Sequence, residues 1–381
     1  MKLHKIVHFS SVHMPHDTRI LLKECQTLAQ AGNEVVFVVP HDRDEQVDKV
    51  RIRAVPKPAN RLIRMTKTIW SVWRAAWQEQ ADVYHFHDPE LIPVGCLLKL
   101  RGKLVVYDVH EDVPGQIMKK DWIPRWLRAA VAKGAAAAES IGACFFDGII
   151  AATPAIAKRF PNRKTVVVQN FPIANELLDH RAQSYRQRQN AVAYVGVISL
   201  IRGVREVMEA LALLPETSDV RLLLAGSFSP PELEAEFRQM PGWKRVDYVG
   251  WQSREGVKEL LAKVRAGLVT FHPVPNSIHS QPNKLFEYMS AGIPVIASDF
   301  PLWQEIIGER ACGLLVNPHD PKAIAEKIEQ IIQFPEAAEG MGTRGWMAVC
   351  EKYNWDVEAE KLRGFYENLL FKGQKEMVHA R

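Results

Sequence analysis

The fold is decided by residues 282–298, which read PNKLFEYMSAGIPVIAS. Their spacing predicts a loop, a short helix, a tight turn and a buried strand, in that order. Asn283 is a favoured N-cap residue, Gly292 is favoured just past a helix end, and Val295 begins an apolar run. The segment therefore indicates a helix-to-strand unit of an α/β protein.

The charged side chains of this segment indicate a nucleotide ligand. Lys284 lies in the predicted first turn, where free backbone N–H groups and the helix dipole favour an anion. Glu287 lies inside the same short helix. A cation with amides for phosphate, beside a carboxylate for hydroxyls, suits a nucleotide sugar. The alternative is a helix-to-strand turn with a solvated glutamate.

The pattern from Glu287 to Val295, E-Y-M-S-A-G-I-P-V, resembles the nucleotide-binding helix of the retaining group 1 glycosyltransferases of family 4, which have the GT-B fold. The resemblance implies that Glu287 binds the ribose hydroxyls of a nucleotide-diphosphate sugar. It also implies two Rossmann-like domains that face a central cleft, transfer without a metal or cofactor, and a final helix that crosses back onto the first domain.

Composition indicates a globular protein of two or three domains. The chain has 381 residues, of which 47% are hydrophobic and 24% are charged. Its net charge of +5 fits an anionic small molecule or an anionic membrane surface, and is too small to indicate nucleic acid.

The five cysteines show no metal-ligand spacing, so we expect free thiols in a reducing compartment. Without a signal peptide or a membrane-spanning apolar run, we expect a cytoplasmic protein.

Short apolar strands alternate with amphipathic helices in two stretches, which a polar region at 175–191 separates. The first stretch predicts strands at 6–9, 35–39, 83–86, 104–107, 148–151 and 165–168. The second predicts strands at 191–195, 221–225, 245–249, 267–271, 294–297 and 313–316. This pattern is typical of doubly wound parallel sheets. We predict an N-terminal acceptor-side domain at 1–172, a nucleotide-sugar-binding domain at 173–354, and a helix at about 355–381 that returns to the first domain.

The second domain opens with a glycine directly after a strand. Gly196 lets a ligand approach the backbone, and Arg202 six positions later can reach a diphosphate. Gly196, Arg202 and Gly203 match the family pattern G-R-L-x-x-x-K-G, whereas Val197 replaces its first arginine, a loss that Lys284 can offset. The alternative for Arg202 is a solvated residue at a helix start. The resemblance assigns nucleotide binding to Gly196, Arg202, Asn283, Lys284 and Glu287, and catalysis to Arg202, Lys284 and His110.

One position departs from the family's acidic pair, E-x7-E. Its first glutamate falls on His279. A histidine can contact the donor sugar by hydrogen bonding, or a backbone amide near Ser280 and Gln281 can take that role. The alternative is a plain loop histidine.

In the first domain, His110 follows a predicted strand and resembles the family's active-site histidine, which contacts the donor sugar near its C6 end. A neutral imidazole can accept from a hydroxyl or donate to an oxygen. Glu111 is a candidate for binding acceptor hydroxyls, or caps the next segment, as Asp112 can.

Two further groups of polar residues border the predicted strand ends. His85 and His87 lie on one face of a strand before Asp88, but we favour a strand end with a capping aspartate over a metal site. Asp17 and Arg19 lie in the first strand–helix loop and are candidates for contacting the donor sugar or the acceptor. Asp17 also fits a helix cap.

The resulting hypothesis is a retaining glycosyltransferase that moves a sugar from a nucleotide diphosphate to a hydroxyl of a saccharide or lipid-linked saccharide, in cell-surface polysaccharide synthesis. The alternatives are a GT-B nucleotide-sugar epimerase and a non-catalytic nucleotide-sugar-binding subunit.

Basic and aromatic residues interleave at 61–74 and 119–128, which suits attachment to the anionic inner face of the cytoplasmic membrane. The alternative is a pair of helices packed on the sheet with solvated cationic edges.

Overall fold

A computed structural model describes residues 3–118, 120, 123–174, 176–178 and 184–379, the last eight of them by their backbone alone. The chain divides into two compact units. The first consists of Met1–Asn170 with Val357–Arg381, and the second of Phe171–Asp356. Within the described ranges, no helix is long and apolar enough to cross a membrane.

The described part of the first unit contains an eight-stranded sheet. Its strands are Lys5–Phe9 (β1), Glu34–Pro40 (β2), Glu45–Val47 (β3), Val50–Val55 (β4), Val83–Phe86 (β5), Leu104–Val109 (β6), Gly148–Ala151 (β7) and Thr165–Val167 (β8). Their order is β3-β4-β2-β1-β5-β6-β7-β8. All neighbours pair in parallel except β3 and β4, which are antiparallel.

Strands β3 and β4 were not among the strands predicted from the sequence. In β4, buried Val50 and Ile52 alternate with half-buried Arg51 and Arg53, so no apolar run marks the strand. Both arginines bind the carboxylate of Glu79, with Nη1–Oε1 distances of 3.2 Å and 2.6 Å. The strand is thus held on one side by its valines and isoleucine and on the other by ion pairs.

The second unit contains a six-stranded, wholly parallel sheet in its described part. Its strands are Ala191–Val195 (β9), Arg221–Ala225 (β10), Val246–Gly250 (β11), Ala266–Val269 (β12), Val295–Ser298 (β13) and Gly313–Val316 (β14). Their order is β11-β10-β9-β12-β13-β14. The predicted parallel α/β architecture is confirmed in both units.

Helices connect most of the strands. In the first unit they are Ile20–Cys25, Gln26–Gln30, Arg61–Ile63, Arg64–Thr68, Ile69–Gln78, Pro89–Leu91, Ile92–Leu100, Val113–Ile117, Arg125–Phe145, Pro154–Ala157 and Asn162–Lys164. In the second unit they are Tyr185–Gln187, Leu200–Arg202, Val204–Leu213, Leu233–Phe237, Pro241–Arg245, Arg254–Leu261, Pro275–Ile278, Asn283–Ser290, Pro301–Trp303, Gln304–Gly308, Pro321–Gln333 and Pro335–Glu351. The final helix, Trp355–His379, belongs to the first unit from Val357 onward.

The N-cap of the helix Asn283–Ser290 is Pro282, so the prediction of Asn283 as the cap was wrong. Pro282 has φ −68° and ψ 133°, an extended conformation, and its carbonyl accepts a hydrogen bond from the Leu285 N–H at 3.0 Å. Asn283 is therefore the first helical residue.

The other end of this helix closes as predicted, at Gly292, which has φ +67°. Its N–H donates to the Met289 carbonyl at 3.0 Å, and the Ile293 N–H donates to the Tyr288 carbonyl at 3.2 Å. These two bonds form a Schellman turn, which needs a left-handed residue at this position.

In both sheets the strand order reverses beside the strand that opens the unit. β1 lies between β2 and β5, and β9 lies between β10 and β12. Doubly wound sheets bind ligands at the carboxyl ends of their strands, at such reversal points. The residues just beyond β1, β5 and β6, and just beyond β9 and β12, are therefore the ones on which function depends.

We predict that Gly292→Ala destabilises the second unit by about 1 kcal/mol, because an alanine in the left-handed region is strained although the site has room. The matched change Gly340→Ala lies inside the helix Pro335–Glu351, where alanine is favoured, and should stabilise the unit by about 0.5–1 kcal/mol. Chemical unfolding of the two variants measures both effects. Equal effects of the same sign would contradict the turn assignment.

Candidate functional site

Gly196 directly follows β9 and brings two cations to the backbone of the second unit. Its φ is +114°, a conformation that L side chains rarely adopt. The position that a Cβ would occupy lies 3.7 Å from Arg202 Nη1 and 3.7 Å from Lys284 Nζ. Three predicted nucleotide-binding residues are thus brought together at the reversal point of the sheet.

Lys284 is buried, and its ammonium has no hydrogen-bond partner within the described residues. Its Nζ lies 3.5 Å from the centroid of the Tyr194 ring, which offers partial compensation through the π face. Burial and the nearby Arg202 lower the pKa of Lys284 well below its usual range, while Glu287 acts in the opposite direction. A buried cation without a partner is unfavourable, so this position favours an anionic ligand.

Arg202 ends the helix Leu200–Arg202, and its guanidinium lies 5.4 Å from the centroid of the Phe271 ring. The chain then turns at Gly203, which has φ +70°. A Cβ on Gly203 would lie 1.8 Å from the Thr270 carbonyl oxygen, so only glycine fits where this turn meets the end of β12. The turn therefore places Arg202 next to the end of β12.

Glu287 is held by an ion-pair network that the sequence analysis did not predict. Its Oε1 accepts a hydrogen bond from Arg254 Nη1 at 2.6 Å. Arg254 in turn binds Glu176 in a bidentate arrangement, with Nε–Oε1 at 2.9 Å and Nη2–Oε2 at 2.7 Å. The predicted alternative of a solvated glutamate is therefore wrong, because one of its oxygens is committed to Arg254.

A signal for Arg254 was present in the sequence, because it follows β11 at the same edge of the sheet. Ser253 caps the helix Arg254–Leu261 by accepting from the Gly256 N–H at 3.2 Å, which places Arg254 in the first turn. Nothing in the sequence pairs it with Glu176, which lies 78 residues away.

The two other candidates of the second unit are exposed. Asn283 lies at the start of its helix, one residue before Lys284. His279 ends the helix Pro275–Ile278, and the loop after it is anchored by the Trp303 indole, whose Nε1 donates to the Ser280 carbonyl at 2.8 Å. The roles of Asn283 and His279 stay predictions.

In the first unit, the buried carboxylate of Asp108 is the shared acceptor of three side chains. Oδ2 accepts from His110 Nε2 at 2.8 Å and from His87 Nδ1 at 3.2 Å, and Oδ1 accepts from Arg19 Nη2 at 3.0 Å. Burial opposes ionisation of Asp108, but Arg19 and the two imidazoles hold its pKa well below its usual range. Burial also lowers the pKa of His87, to about 4.

This arrangement fixes the ring of His110. A carboxylate only accepts hydrogen bonds, so the Nε2 of His110 carries a proton, and in the neutral form of the ring its Nδ1 carries a lone pair. The ring is partly exposed, with 15% of the side chain accessible, and lies 4.8 Å from the ring of His13. His110 is thus an oriented acceptor at the end of β6.

The structure corrects the prediction for Arg19. Its side chain is buried, because it binds Asp108 and donates from Nη1 to the Val168 carbonyl at 2.9 Å. Because only 5% of the side chain is exposed, the guanidinium is not accessible to a sugar, and we infer that Arg19 positions Asp108 and through it His110. Asp17 acts as a helix cap, because its Oδ1 accepts from the N–H groups of Arg19 and Ile20, each at 2.9 Å.

The remaining candidates lie beside His110. Glu111 is exposed and accepts a hydrogen bond from Gln116. Asp112 lies at the N-cap position of the helix Val113–Ile117, but its side chain makes no capping hydrogen bond and its carboxylate pairs with Arg159 Nη1 at 2.9 Å. Asp88 lies at the predicted N-cap position of the helix Pro89–Leu91, but its side chain makes no capping hydrogen bond. Its carboxylate instead accepts from Ser10 Oγ at 2.8 Å and holds the loop after β1.

His87, Asp108 and His110 each offer a metal-ligand atom, and these atoms lie within 4.8 Å of one another. All three atoms are already hydrogen-bonded within the group or to Arg19. The group therefore fits an orienting network better than a cation site.

Both units match family models. Residues 18–170 match the glycosyl transferase 4-like domain, and residues 177–346 match the glycosyl transferases group 1. The phosphatidyl-myo-inositol mannosyltransferase of Mycobacterium leprae is 31% identical over 388 residues, which cover 94% of this chain and 94% of the relative. The chain belongs to the group 1 glycosyl transferases. For four other curated relatives, including the α-D-kanosaminyltransferase of Streptomyces kanamyceticus at 24% identity, the match covers only about half of their length.

Solved structures show the same fold as this group 1 glycosyl transferase. The sucrose-phosphate synthase of Thermosynechococcus elongatus aligns with a TM-score of 0.76 at 20% identity, over 97% of this chain and 100% of that chain. HepE of Anabaena, in complex with UDP-glucose, aligns with a TM-score of 0.72 at 15% identity, over 96% and 100%. The predicted GT-B fold is confirmed.

We predict that Asp108→Ala destabilises the first unit by about 3–5 kcal/mol, because it removes the buried carboxylate that accepts hydrogen bonds from Arg19, His87 and His110. The ionised carboxylate stabilises the unit at neutral pH, and this contribution is lost as the pH falls through its lowered folded-state pKa. The control Asp42→Ala breaks an exposed pair with Lys57 and should change stability little. Similar midpoints for the two variants in urea unfolding would refute the role of Asp108.

Proposed function

We propose that this protein is a retaining glycosyltransferase that moves a sugar from a nucleoside-diphosphate sugar to a hydroxyl of a saccharide or lipid-linked saccharide, in polysaccharide or glycolipid synthesis. The observation that carries the proposal is the buried ammonium of Lys284, which has no hydrogen-bond partner among the described residues and lies beside Arg202 at the Gly196 backbone. One turn further along the same helix lies the carboxylate of Glu287. This arrangement is complementary to a diphosphate joined to a ribose.

The chemistry follows from where charge develops. As the bond between sugar and diphosphate breaks, negative charge grows on the leaving phosphate, and preorganised cations stabilise it most strongly in a site that excludes water. Lys284 and Arg202 supply these cations, so we propose that transfer needs no metal. Glu287 Oε2 accepts from ribose hydroxyls while Arg254 holds Oε1. His110 contacts the transferred sugar through its free Nδ1.

Two observations favour the transferase over its alternatives. Curated relatives that this chain resembles carry transferase names, among them an O-antigen chain mannosyltransferase of Escherichia coli. The orientation of His110 by Asp108 and Arg19 is also more than a nucleotide-binding subunit needs. An epimerase would convert the donor without an acceptor, and a binding subunit would not consume it.

The test is incubation of the protein with a panel of UDP-, GDP- and dTDP-sugars, with and without candidate saccharide and lipid-linked acceptors. We expect slow donor hydrolysis alone and faster release of nucleoside diphosphate with the right acceptor, with the anomeric configuration of the donor kept in the product. Conversion of the donor to an epimer would overturn the proposal. Tight binding of the donor with neither transfer nor hydrolysis would overturn it as well.

Glu287→Ala should weaken nucleoside-diphosphate binding about ten- to hundredfold, because a charged hydrogen bond contributes about 1.5–3 kcal/mol. Arg254→Met should weaken it less, since the carboxylate stays but loses its orientation. The control Glu259→Ala changes an exposed glutamate on the helix Arg254–Leu261. Calorimetry with the free nucleotide measures all three, and wild-type affinity in Glu287→Ala would sink the ribose assignment.

Lys284→Met should reduce turnover more than nucleotide affinity, and Arg202→Ala should do the same. Burial and Arg202 lower the pKa of Lys284 in the free protein, and a bound diphosphate raises it, so proton uptake should accompany binding at a pH above the lowered pKa. Calorimetry in buffers of different ionisation enthalpy measures this uptake, which Lys284→Met should abolish. The control Lys244→Met, at an exposed residue before β11, should leave both unchanged. Proton uptake that persists in Lys284→Met would place it on another group.

We also propose reversible attachment of the first unit to an anionic membrane. Trp126, which lies next to Arg125, is 80% exposed, and Trp70, which lies within the basic segment 61–74, is 59% exposed. Trp73 differs, because it packs partly buried against the core of the unit. The predicted segment 119–128 is described in part only, since residues 119, 121 and 122 lie outside the described residues.

We predict that the protein co-sediments with phosphatidylglycerol vesicles at low salt and is released at high salt, because each basic residue near the surface contributes about 1 kcal/mol that salt screens. Charge reversal at Lys119, Lys120, Arg125 and Arg128, or Trp126→Ser, should weaken attachment. Trp73→Phe, at a packed position, is the control. Failure to bind anionic vesicles at low salt would favour a soluble acceptor.

A further inference from the structure

A second cluster of titratable side chains lies inside the first unit. His8 in β1 and His85 in β5 are paired in register, and Glu24 comes from the helix Ile20–Cys25. All three are fully buried, and His87 lies beside them just past β5. One ligand atom from each of these four residues lies within 4.8 Å of the others.

Hydrogen bonds use one ring nitrogen of each strand histidine. His8 Nδ1 lies 3.0 Å from His87 Nε2, and His85 Nδ1 lies 2.8 Å from the hydroxyl of Tyr366. The other nitrogens, Nε2 of His8 and Nε2 of His85, have no hydrogen-bond partner within the described residues. Neither oxygen of Glu24 has a hydrogen-bond partner there, although Arg19 lies within ion-pair distance of Oε1. Such buried, unsatisfied polar atoms call for a physical explanation.

The protons can be placed by following the network from Asp108. A carboxylate only accepts, so His87 donates from Nδ1 to Asp108 and its Nε2 accepts from His8 Nδ1. His8 Nε2 is then a bare lone pair, in the same cluster as the Glu24 carboxylate. His87 has both nitrogens committed and acts as a support for His8.

The charges of the cluster are unbalanced. Arg19 Nε lies 3.0 Å from Glu24 Oε1, but its N–H is directed at Asp108 Oδ2, so one guanidinium faces two buried carboxylates. Burial, together with Asp108, raises the pKa of Glu24 well above its usual range. A proton on Glu24 would make the cluster neutral. That one proton could form a hydrogen bond with only a single acceptor atom, and another acceptor of the cluster would stay unpaired.

We propose that His8, His85 and Glu24 bind one divalent transition-metal ion of the zinc class. Two imidazole nitrogens and a carboxylate are a donor set that zinc and its neighbours accept, at metal–ligand distances of about 2.0–2.2 Å. The bonds from His8 to His87 and from His85 to Tyr366 are those that orient metal-binding histidines. The ion would join β1, β5, the helix Ile20–Cys25 and, through Tyr366, the final helix. Its role is structural and separate from the proposed transfer chemistry.

The first test is the metal content of the purified full-length protein, followed by titration of chelator-stripped protein with Zn²⁺ or Co²⁺ alone. We expect one tightly held ion per chain, a Co²⁺ absorption spectrum of low coordination number, and a melting temperature raised by several degrees on metal addition. A stripped protein that takes up no ion, with an unchanged melting temperature, would overturn the proposal and leave a protonated Glu24 as the explanation.

Glu24→Gln separates the metal from the proton. Without metal, this variant should be as stable as the wild type or more so, because it removes a buried charge, yet it should lose the ion and the metal-induced rise in melting temperature. His41→Gln is the matched control, since His41 belongs to a partly exposed group with His16 and Glu45 whose ligand atoms also lie within 4.8 Å. Loss of the ion in His41→Gln but not in Glu24→Gln would place the metal at that outer group and refute the buried site.

Discussion

Parallel pairing makes strands that are far apart in sequence end at the same edge of a sheet, and both clusters of functional residues depend on this constraint. β5 and β6 pair Phe86 with Tyr107, which leaves His87 and Asp108 side by side one residue later. In the second unit, β9 pairs with β12, so Gly196 emerges beside the segment that follows Val269. A shift of one residue in either pairing would turn these side chains to the opposite face of the sheet.

The two clusters treat buried charge in opposite ways. In the first unit, the Asp108 carboxylate accepts hydrogen bonds from Arg19 and two imidazoles, so the protein itself satisfies this charged group. In the second unit, Lys284 lies against an aromatic ring and a guanidinium with no acceptor within the described residues. A compensated charge orients its neighbours, whereas an uncompensated one makes the folded protein favour a ligand of opposite sign. The first arrangement suits positioning and the second suits binding.

Local pattern was enough for most of the sheet and for the glycines at Gly196 and Gly292, because apolar runs and backbone conformation are encoded over a few residues. It failed for β4, where arginines interrupt the run and a distant glutamate neutralises them. It failed at Asn283 because the extended backbone of Pro282 takes the cap position. The link from Glu287 to Glu176 through Arg254 joins residues that only the tertiary fold brings together, so no local signal could reveal it.

The final helix shows how the first unit depends on the whole chain. Tyr366 completes the hydrogen bond of His85, and Glu358 Oε2 accepts from the Gln169 N–H at 2.9 Å. Gly148 in β7 has no side chain because a Cβ there would lie 2.2 Å from the ring of Phe365. These contacts join residues about two hundred or more positions apart. They cover the side of the sheet that carries His85 and Gly148, although all strands of this sheet come before residue 170. A fragment that ends at residue 170 would lack the final helix and would expose His85 and Gly148 to solvent. Residues 1–170 and the final helix must therefore fold together as one core.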